Sequence, residues 1–293
     1  MTPSTSVPLP TGDRAGNTTV DPAGSPAGDG GGPGATLRTY QVRTFGCQMN
    51  VHDSERLSGL LEDNGYTAVA EGERPDLVVF NTCAVRENAD NRLYGTLGHI
   101  KSRKDERPDL QVVVSGCLAQ KDRDQVRARA PHVDVVLGTH NVHRAGELID
   151  RARTDGPITE ILDAAVADDA TMFPSALPVR RDHGHRAWVT IQVGCDNSCA
   201  FCIVPAVRGP EISRPFDALV DEVRRLADDG VTEVTLLGQN VNSYGRDLTL
   251  RLRGESPGPL DDTLAGPSWT ADGRRRARPL FADLLRAVGS VEG

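Results

Sequence analysis

The chain is expected to be α/β, with an amino-terminal parallel sheet followed by a second region of strands and helices. Two observations predict this. Short runs rich in β-branched or aromatic residues at 40–45, 77–80 and 111–114 are each followed by a helical pattern. After a stretch broken by Pro and Asp, the same alternation resumes at 187–193, 216–229 and 231–237. Strands alternating with helices pair in parallel, with helices covering both faces of the sheet. Ligands of such sheets gather outside the carboxyl ends of the strands.

In chain order, residues 1–36 are dominated by Pro, Gly, Ser, Thr and Asp and close on Gly30-Gly31-Gly32-Pro33-Gly34. Little there can be buried, so a disordered tail is expected. The amino-terminal domain is assigned to 37–153. Its helices are expected at 53–64, 89–104 and 121–130, and a fourth apolar run, 133–137, leads into a helix at 144–153. Residues 154–186 read as a linker, because Asp168-Asp169, Pro174 and Pro178 break any periodicity. His183 and His185 lie in it without a further ligand near in sequence, which favours a solvated linker over a metal pair.

The second domain is assigned to 187–293. Its first strand runs directly into a cysteine loop. The helix at 216–229 places Phe216, Leu219, Val220, Val223 and Leu226 near helical spacing, and Gly230 ends it. The strand at 231–237 carries a top loop at 238–244. In barrel enzymes such top loops hold the site, which makes Gln239 and Asn240 candidate polar contacts; turn formation is the alternative for both. Residues 251–278 are rich in Pro, Gly and charge and read as an inserted loop, with Arg274-Arg275-Arg276 solvated by default. A helix returns at 279–288.

Composition narrows the function classes. The hydrophobic fraction of 38% is low because the tail and linker contribute little to a core. A net charge of −8 gives no global nucleic-acid footprint, so an RNA partner would need a local patch or a further module. No stretch approaches the roughly 18 apolar residues of a membrane span. Six cysteines without a signal peptide point to the reducing cytoplasm, where clustered thiols serve as metal ligands rather than staples.

Those cysteines fall into two trios. The first occupies Gly194-Cys195-Asp196-Asn197-Ser198-Cys199-Ala200-Phe201-Cys202, a C-x3-C-x2-C spacing with an aromatic before the last cysteine. Three thiolates on one tight loop can hold three irons of a cubane and leave the fourth open to a small molecule, whereas electron carriers use four cysteines. Zinc or a disulfide are the alternatives. Structural zinc wants paired C-x2-C knuckles, and only Cys199 and Cys202 form one. The second trio is dispersed: Cys47, Cys83 and Cys117 each follow a strand, after Phe45-Gly46, Asn81-Thr82 and Ser115-Gly116. Parallel neighbours would bring all three thiols to one edge. Cysteine is a common buried residue, but three at the same structural phase point to a second three-cysteine cluster.

The loop spacing resembles that of the radical S-adenosylmethionine (SAM) superfamily. The segments Thr44-Phe45-Gly46-Cys47-Gln48-Met49-Asn50, Asn81-Thr82-Cys83-Ala84-Val85-Arg86 and Gly116-Cys117-Leu118-Ala119-Gln120 resemble the methylthiotransferase family of radical SAM enzymes, over about residues 38–250. That resemblance implies two 4Fe-4S clusters, one on each trio, with SAM at the open iron of Cys195, Cys199 and Cys202. It places Phe201 near the adenine of SAM. Gly46-Cys47-Gln48-Met49-Asn50 and the stretch from Leu236 to Gly245 resemble most closely the branch acting on isopentenylated adenosine in tRNA. The implied reaction is transfer of a methylthio group to C2 of N6-dimethylallyladenosine beside the anticodon. The threonylcarbamoyladenosine branch, an inactive cluster-binding scaffold and a zinc-structured RNA-binding module are the alternatives. Implied partners are tRNA and an electron donor such as flavodoxin or ferredoxin, for a cytoplasmic monomer without membrane contact.

The family usually has Tyr and Thr before the arginine at the position of Arg208. Here those positions are Ala206 and Val207, while Arg208 and Arg214 match. Arginine fits planar carboxylates and phosphates, so Arg208 is a candidate cofactor contact. The family's radical domain is an open barrel of strand-helix units followed by a small RNA-gripping β module. About two units are present here, so the second domain is expected to be the start of that barrel, incomplete.

Overall fold

A computed structural model describes residues 38–70, 72–84, 87–163, 179–181, 184–253 and 259–292. The expected tail and His183 lie outside the described residues.

The amino-terminal domain is built on a fully parallel sheet of six strands. These are β1 (Arg38–Phe45), β2 (Tyr66–Ala68), β3 (Leu77–Thr82), β4 (Gln111–Ser115), β5 (Val135–Leu137) and β6 (Ile158–Glu160), in the order β2-β1-β3-β4-β5-β6. Side chains alternate across a strand, and both faces here are dry. Leu77 and Val79 of β3 and Val113 of β4 join one core, with Leu57 and Leu61 of α1 (Gln48–Asp63) and Leu148 and Ile149 of α5 (Ala145–Asp155). Val78, Phe80, Val112 and Val114 join the other. There they meet Leu93 and Leu97 of α2 (Glu87–Glu106), Leu118 of α3 (Cys117–Asp122) and Val126 of α4 (Asp124–Arg129). Each such buried aliphatic side chain contributes about 1.5–3 kcal/mol.

Three sequence expectations are corrected. Helix α1 starts at Gln48 rather than near residue 53, because Asn50 reaches back to the Cys47 backbone N–H (3.4 Å) and closes the first turn. The helix expected at 121–130 starts at Cys117 and breaks into α3 and α4 at Arg123, whose φ of 49° lies in the left-handed region. Both changes seat a cysteine at a helix start. The linker expected from 154 contributes a strand, β6, which extends the sheet. Its Glu160 is gripped by Asn141 and Arg144.

The second unit pairs β7 (Arg186–Thr190) in parallel with β10 (Glu233–Leu237), and β8 (Gln192–Val193) antiparallel to β9 (Ile212–Ser213). The amphipathic helix α7 (Phe216–Asp228) buries the five apolar residues named from the sequence. They pack with Val189, Ile191, Tyr244 and Leu280, and with Leu284 of α11 (Phe281–Val288). The stretch expected as a loop at 251–278 contains, among its described residues, α9 (Pro259–Ala265) and α10 (Pro267–Thr270), after α8 (Arg246–Leu252). Trp269 is completely buried and donates its indole N–H to the Arg276 carbonyl (2.9 Å). Arg275 lies over the Trp269 ring at 4.7 Å and pairs with Asp261, so it serves packing rather than phosphate contact. Among the described residues no helix is long and apolar enough to cross a membrane.

Candidate metal centres

The register of the sheet brings the dispersed trio together. Phe45 stands opposite Thr82, and Asn81 opposite Ser115, so the residues following β1, β3 and β4 emerge at one carboxyl edge. Those residues carry Cys47, Cys83 and Cys117, of which Cys83 and Cys117 are buried and Cys47 half-buried. The Cys83 backbone N–H continues the ladder to the Phe45 carbonyl (2.8 Å). Its side chain hydrogen-bonds to Cys47 and lowers that thiol to about 5, against burial that raises it. A thiolate is the form that ligates metal.

Two asparagines clamp this edge. Asn50 and Asn81 are completely buried. Asn50 donates from Nδ2 to Asn81 Oδ1 (3.2 Å), and Asn81 donates from Nδ2 to the Asn50 carbonyl (2.8 Å) and Ser54 Oγ (2.9 Å). Gly116 closes over the same group: its φ is +91°, and a Cβ there would lie 2.3 Å from Asn81 Oδ1. One side chain thus ties the loops of all three cysteines. Asn81→Ala leaves the Asn50 amide without its buried partner, at a cost of about 1–3 kcal/mol. A lowered urea midpoint with unchanged m-value is the expected result.

The second trio sits on the loop after β8. Cys195 is buried, Cys202 half-buried and Cys199 exposed, with a turn closed by the Cys202 N–H on the Cys199 carbonyl (3.1 Å). Cys195 donates its N–H to the Gly209 carbonyl (3.1 Å). Gly194 permits this approach, with φ +76° and a would-be Cβ only 1.9 Å from the Pro210 carbonyl oxygen. Phe201 is 94% exposed, an apolar ring held in solvent beside the cysteines. Below the loop, the Gln192 side chain is fully buried and its amide has no partner among the described residues; Gln239 Oε1 is likewise buried without one. Glu211 connects the loop to the top of β10, accepting from Ser243 while its backbone N–H donates to Asp196 (2.9 Å). Burial, with Asp247 and Asp196 nearby, raises the Glu211 carboxyl. Asn240 is half-buried and its carbonyl accepts from Ser243 Oγ (2.8 Å).

A seam joins the two trios. Thr139 donates to the Val207 carbonyl (2.8 Å), seating α6 (Val204–Arg208) on the amino-terminal domain. Arg208, expected at the SAM contact, is instead committed across this seam. Its guanidinium donates to Asp53 Oδ2 (2.7 Å) and, from Nε, to Cys117 Sγ (3.3 Å). Burial works against its charge, but Asp53 and Cys117 outweigh this and raise its pKa. Arg214 is also buried, bonded to the Thr190 carbonyl (3.0 Å) and Glu222. Neither arginine is a surface residue. His140 is buried nearby with Nε2 unpartnered among the described residues, and burial lowers it to about 4.

Each trio offers three thiols, the donor set that three irons of a cubane would take. A lone zinc gathers thiolates at about 2.3 Å from one centre, whereas a cubane gives each thiolate its own iron. Among the described residues no three His, Cys, Asp or Glu side chains converge to hold one metal ion.

Two family models match separate parts of the chain. Residues 39–138 match the family described as Uncharacterized protein family UPF0004, and residues 189–260 match the Radical SAM superfamily. The second match spans the cysteine loop at 195–202 and the strand β10. The chain also resembles curated proteins over most of its own length. It is 51% identical over 276 residues to a Mycobacterium bovis protein named tRNA-2-methylthio-N(6)-dimethylallyladenosine synthase, covering 93% of this chain and 49% of the relative. Proteins of the same name from Corynebacterium efficiens and Rhodococcus jostii are 50% and 54% identical. They cover 93% and 87% of this chain and 47% and 46% of their own length. The chain thus spans about half the length of the curated relatives it matches. Among solved structures, a radical SAM methyltransferase from Kitasatospora setae, TsrM, aligns at 17% identity with a TM-score of 0.49, over 86% of this chain and 57% of that one.

The sequence singles out all six cysteines, Phe201 and the Gln239–Asn240 turn as candidates, and the structure places the cysteines at the strand ends and on the loop after β8. Sequence reasoning missed Asp53, Asn81, Gln192 and Glu211. Gln192 carried the clearest signal, an amide inside an otherwise apolar strand beside the cysteine loop.

Proposed function

We propose that the chain holds one 4Fe-4S cluster on Cys47, Cys83 and Cys117 and another on Cys195, Cys199 and Cys202, and binds SAM at the second. We assign it to methylthio transfer onto C2 of N6-dimethylallyladenosine in tRNA. The observation that carries this reading is that adjacent residues contact both trios, Arg208 through Cys117 and Gly209 through Cys195, in a chain half identical to proteins of that name. An aromatic C–H has no acidic proton for a general base, so the chemistry must be supplied by a cofactor. When bound, SAM and the clusters would supply the electron, the radical and the methylthio group.

The chain's own residues bind, orient and exclude water. The thiolates anchor the clusters. The exposed Phe201 ring offers a face for adenine, and the unpartnered amides of Gln192 and Gln239 offer hydrogen bonds to a polar ligand. Asn240 is assigned to the same ligand. Glu211 fixes the loop against β10. The partners we assign are tRNA and a small electron donor such as flavodoxin or ferredoxin, for a cytoplasmic monomer.

The test is anaerobic incubation of reconstituted protein with SAM, a reductant and tRNA bearing dimethylallyladenosine, followed by nucleoside analysis. The 2-methylthio product supports the reading. Product only from threonylcarbamoyladenosine tRNA would move the substrate to that branch. Two clusters without deoxyadenosine would indicate a cluster-binding scaffold.

A further inference from the structure

We propose that Arg208 is a positioning residue for the strand-end centre: anchored by Asp53, it donates a hydrogen bond to the Cys117 sulfur and sets the electron affinity of the cluster held there. This rests on the reading above that Cys47, Cys83 and Cys117 hold a cluster.

The geometry separates this role from domain glue. A buried ion pair across a seam needs only Arg208 and Asp53, at 2.7 Å, and costs desolvation on both sides. Here the guanidinium also turns its Nε–H onto a cysteine sulfur, 91 positions away in sequence, at 3.3 Å. Arg208 is only 5% exposed, so its charge acts on that sulfur with little solvent screening. Hydrogen bonds and positive charge at cluster sulfurs favour the more negative, reduced state. The same segment reaches the other centre through its backbone, since the neighbouring Gly209 carbonyl accepts the Cys195 N–H. One short stretch therefore fixes the loop trio with its main chain and the strand-end trio with its side chain.

The test uses the full chain carrying Cys195→Ala, Cys199→Ala and Cys202→Ala, so that only the strand-end trio can take iron. The midpoint potential is read from the reduced-cluster electron paramagnetic resonance signal during a redox titration. Arg208→Gln is expected to shift the potential negative and Arg208→Lys to give an intermediate value. Asp53→Asn, which leaves the arginine charge uncompensated, is expected to shift it positive. If Arg208→Gln fails to fold, the Lys and Asn variants must still shift in opposite directions. Equal potentials in the parent and all folded variants, at equal iron content, overturn the proposal. A parent without any cluster overturns the underlying reading instead, and is recognised by its lack of iron before any titration.

Discussion

Cys199→Ala is expected to abolish SAM cleavage to deoxyadenosine, while Cys117→Ala leaves cleavage in place and abolishes only methylthio transfer. The two thiols belong to different trios, one on the exposed loop after β8 and one at the start of α3 behind the sheet edge. Losing a ligand from a three-thiolate site leaves an iron without its protein anchor, so each variant is expected to lose about four irons. The remaining cluster should survive, because the Asn50–Asn81 clamp and the Gly194 turn do not share side chains. Iron analysis, deoxyadenosine chromatography and nucleoside mass spectrometry separate the two losses. Loss of both activities in both variants, with iron unchanged, would contradict the division into two centres.

Gly194→Ala is the second variant with a large expected effect, although it removes no ligand. The left-handed backbone conformation alone costs a non-glycine residue roughly 1–2 kcal/mol. The larger obstacle is the Pro210 carbonyl oxygen, 1.9 Å from where the new Cβ would sit, with the Gly209 carbonyl oxygen at 2.5 Å. Both are main-chain atoms, so no side-chain rotation relieves the overlap. The loop must move away, and it carries Cys195, whose N–H bond to Gly209 is what seats it. The second cluster is expected to be lost and SAM cleavage to fall to background, with the strand-end cluster retained. Gly184→Ala is the control, since a Cβ there meets nothing within 4 Å. Wild-type iron content in Gly194→Ala would show that the loop accommodates the methyl group.

The parts of this fold that were legible in the sequence are those with short-range causes. Strands β3 and β4 announce themselves because both faces are buried, which demands a continuous apolar run such as Leu77-Val78-Val79-Phe80. The strand-end cysteines were legible because a strand-helix repeat fixes their phase. Strands β2 and β6 were not, since three residues at a sheet edge carry no periodicity. Trp269 hid in a stretch whose Pro, Gly and Arg content reads as solvent, although its ring is packed under Arg275. Arg208 was legible as important but not in its role, because its carboxylate partner lies 155 positions away and the pairing exists only once two domains meet. The Asn50–Asn81 clamp joins residues 31 positions apart, and nothing local marks either amide as buried.

The central claim is that two separate sulfur trios each carry a cubane. Iron and acid-labile sulfide counts on anaerobically reconstituted protein test it most directly, made on the intact chain and on the two triple-alanine variants. The account predicts about eight irons per chain, falling to about four in either variant. Stoichiometric zinc without brown colour, or an iron content unchanged when a whole trio is replaced, would contradict it.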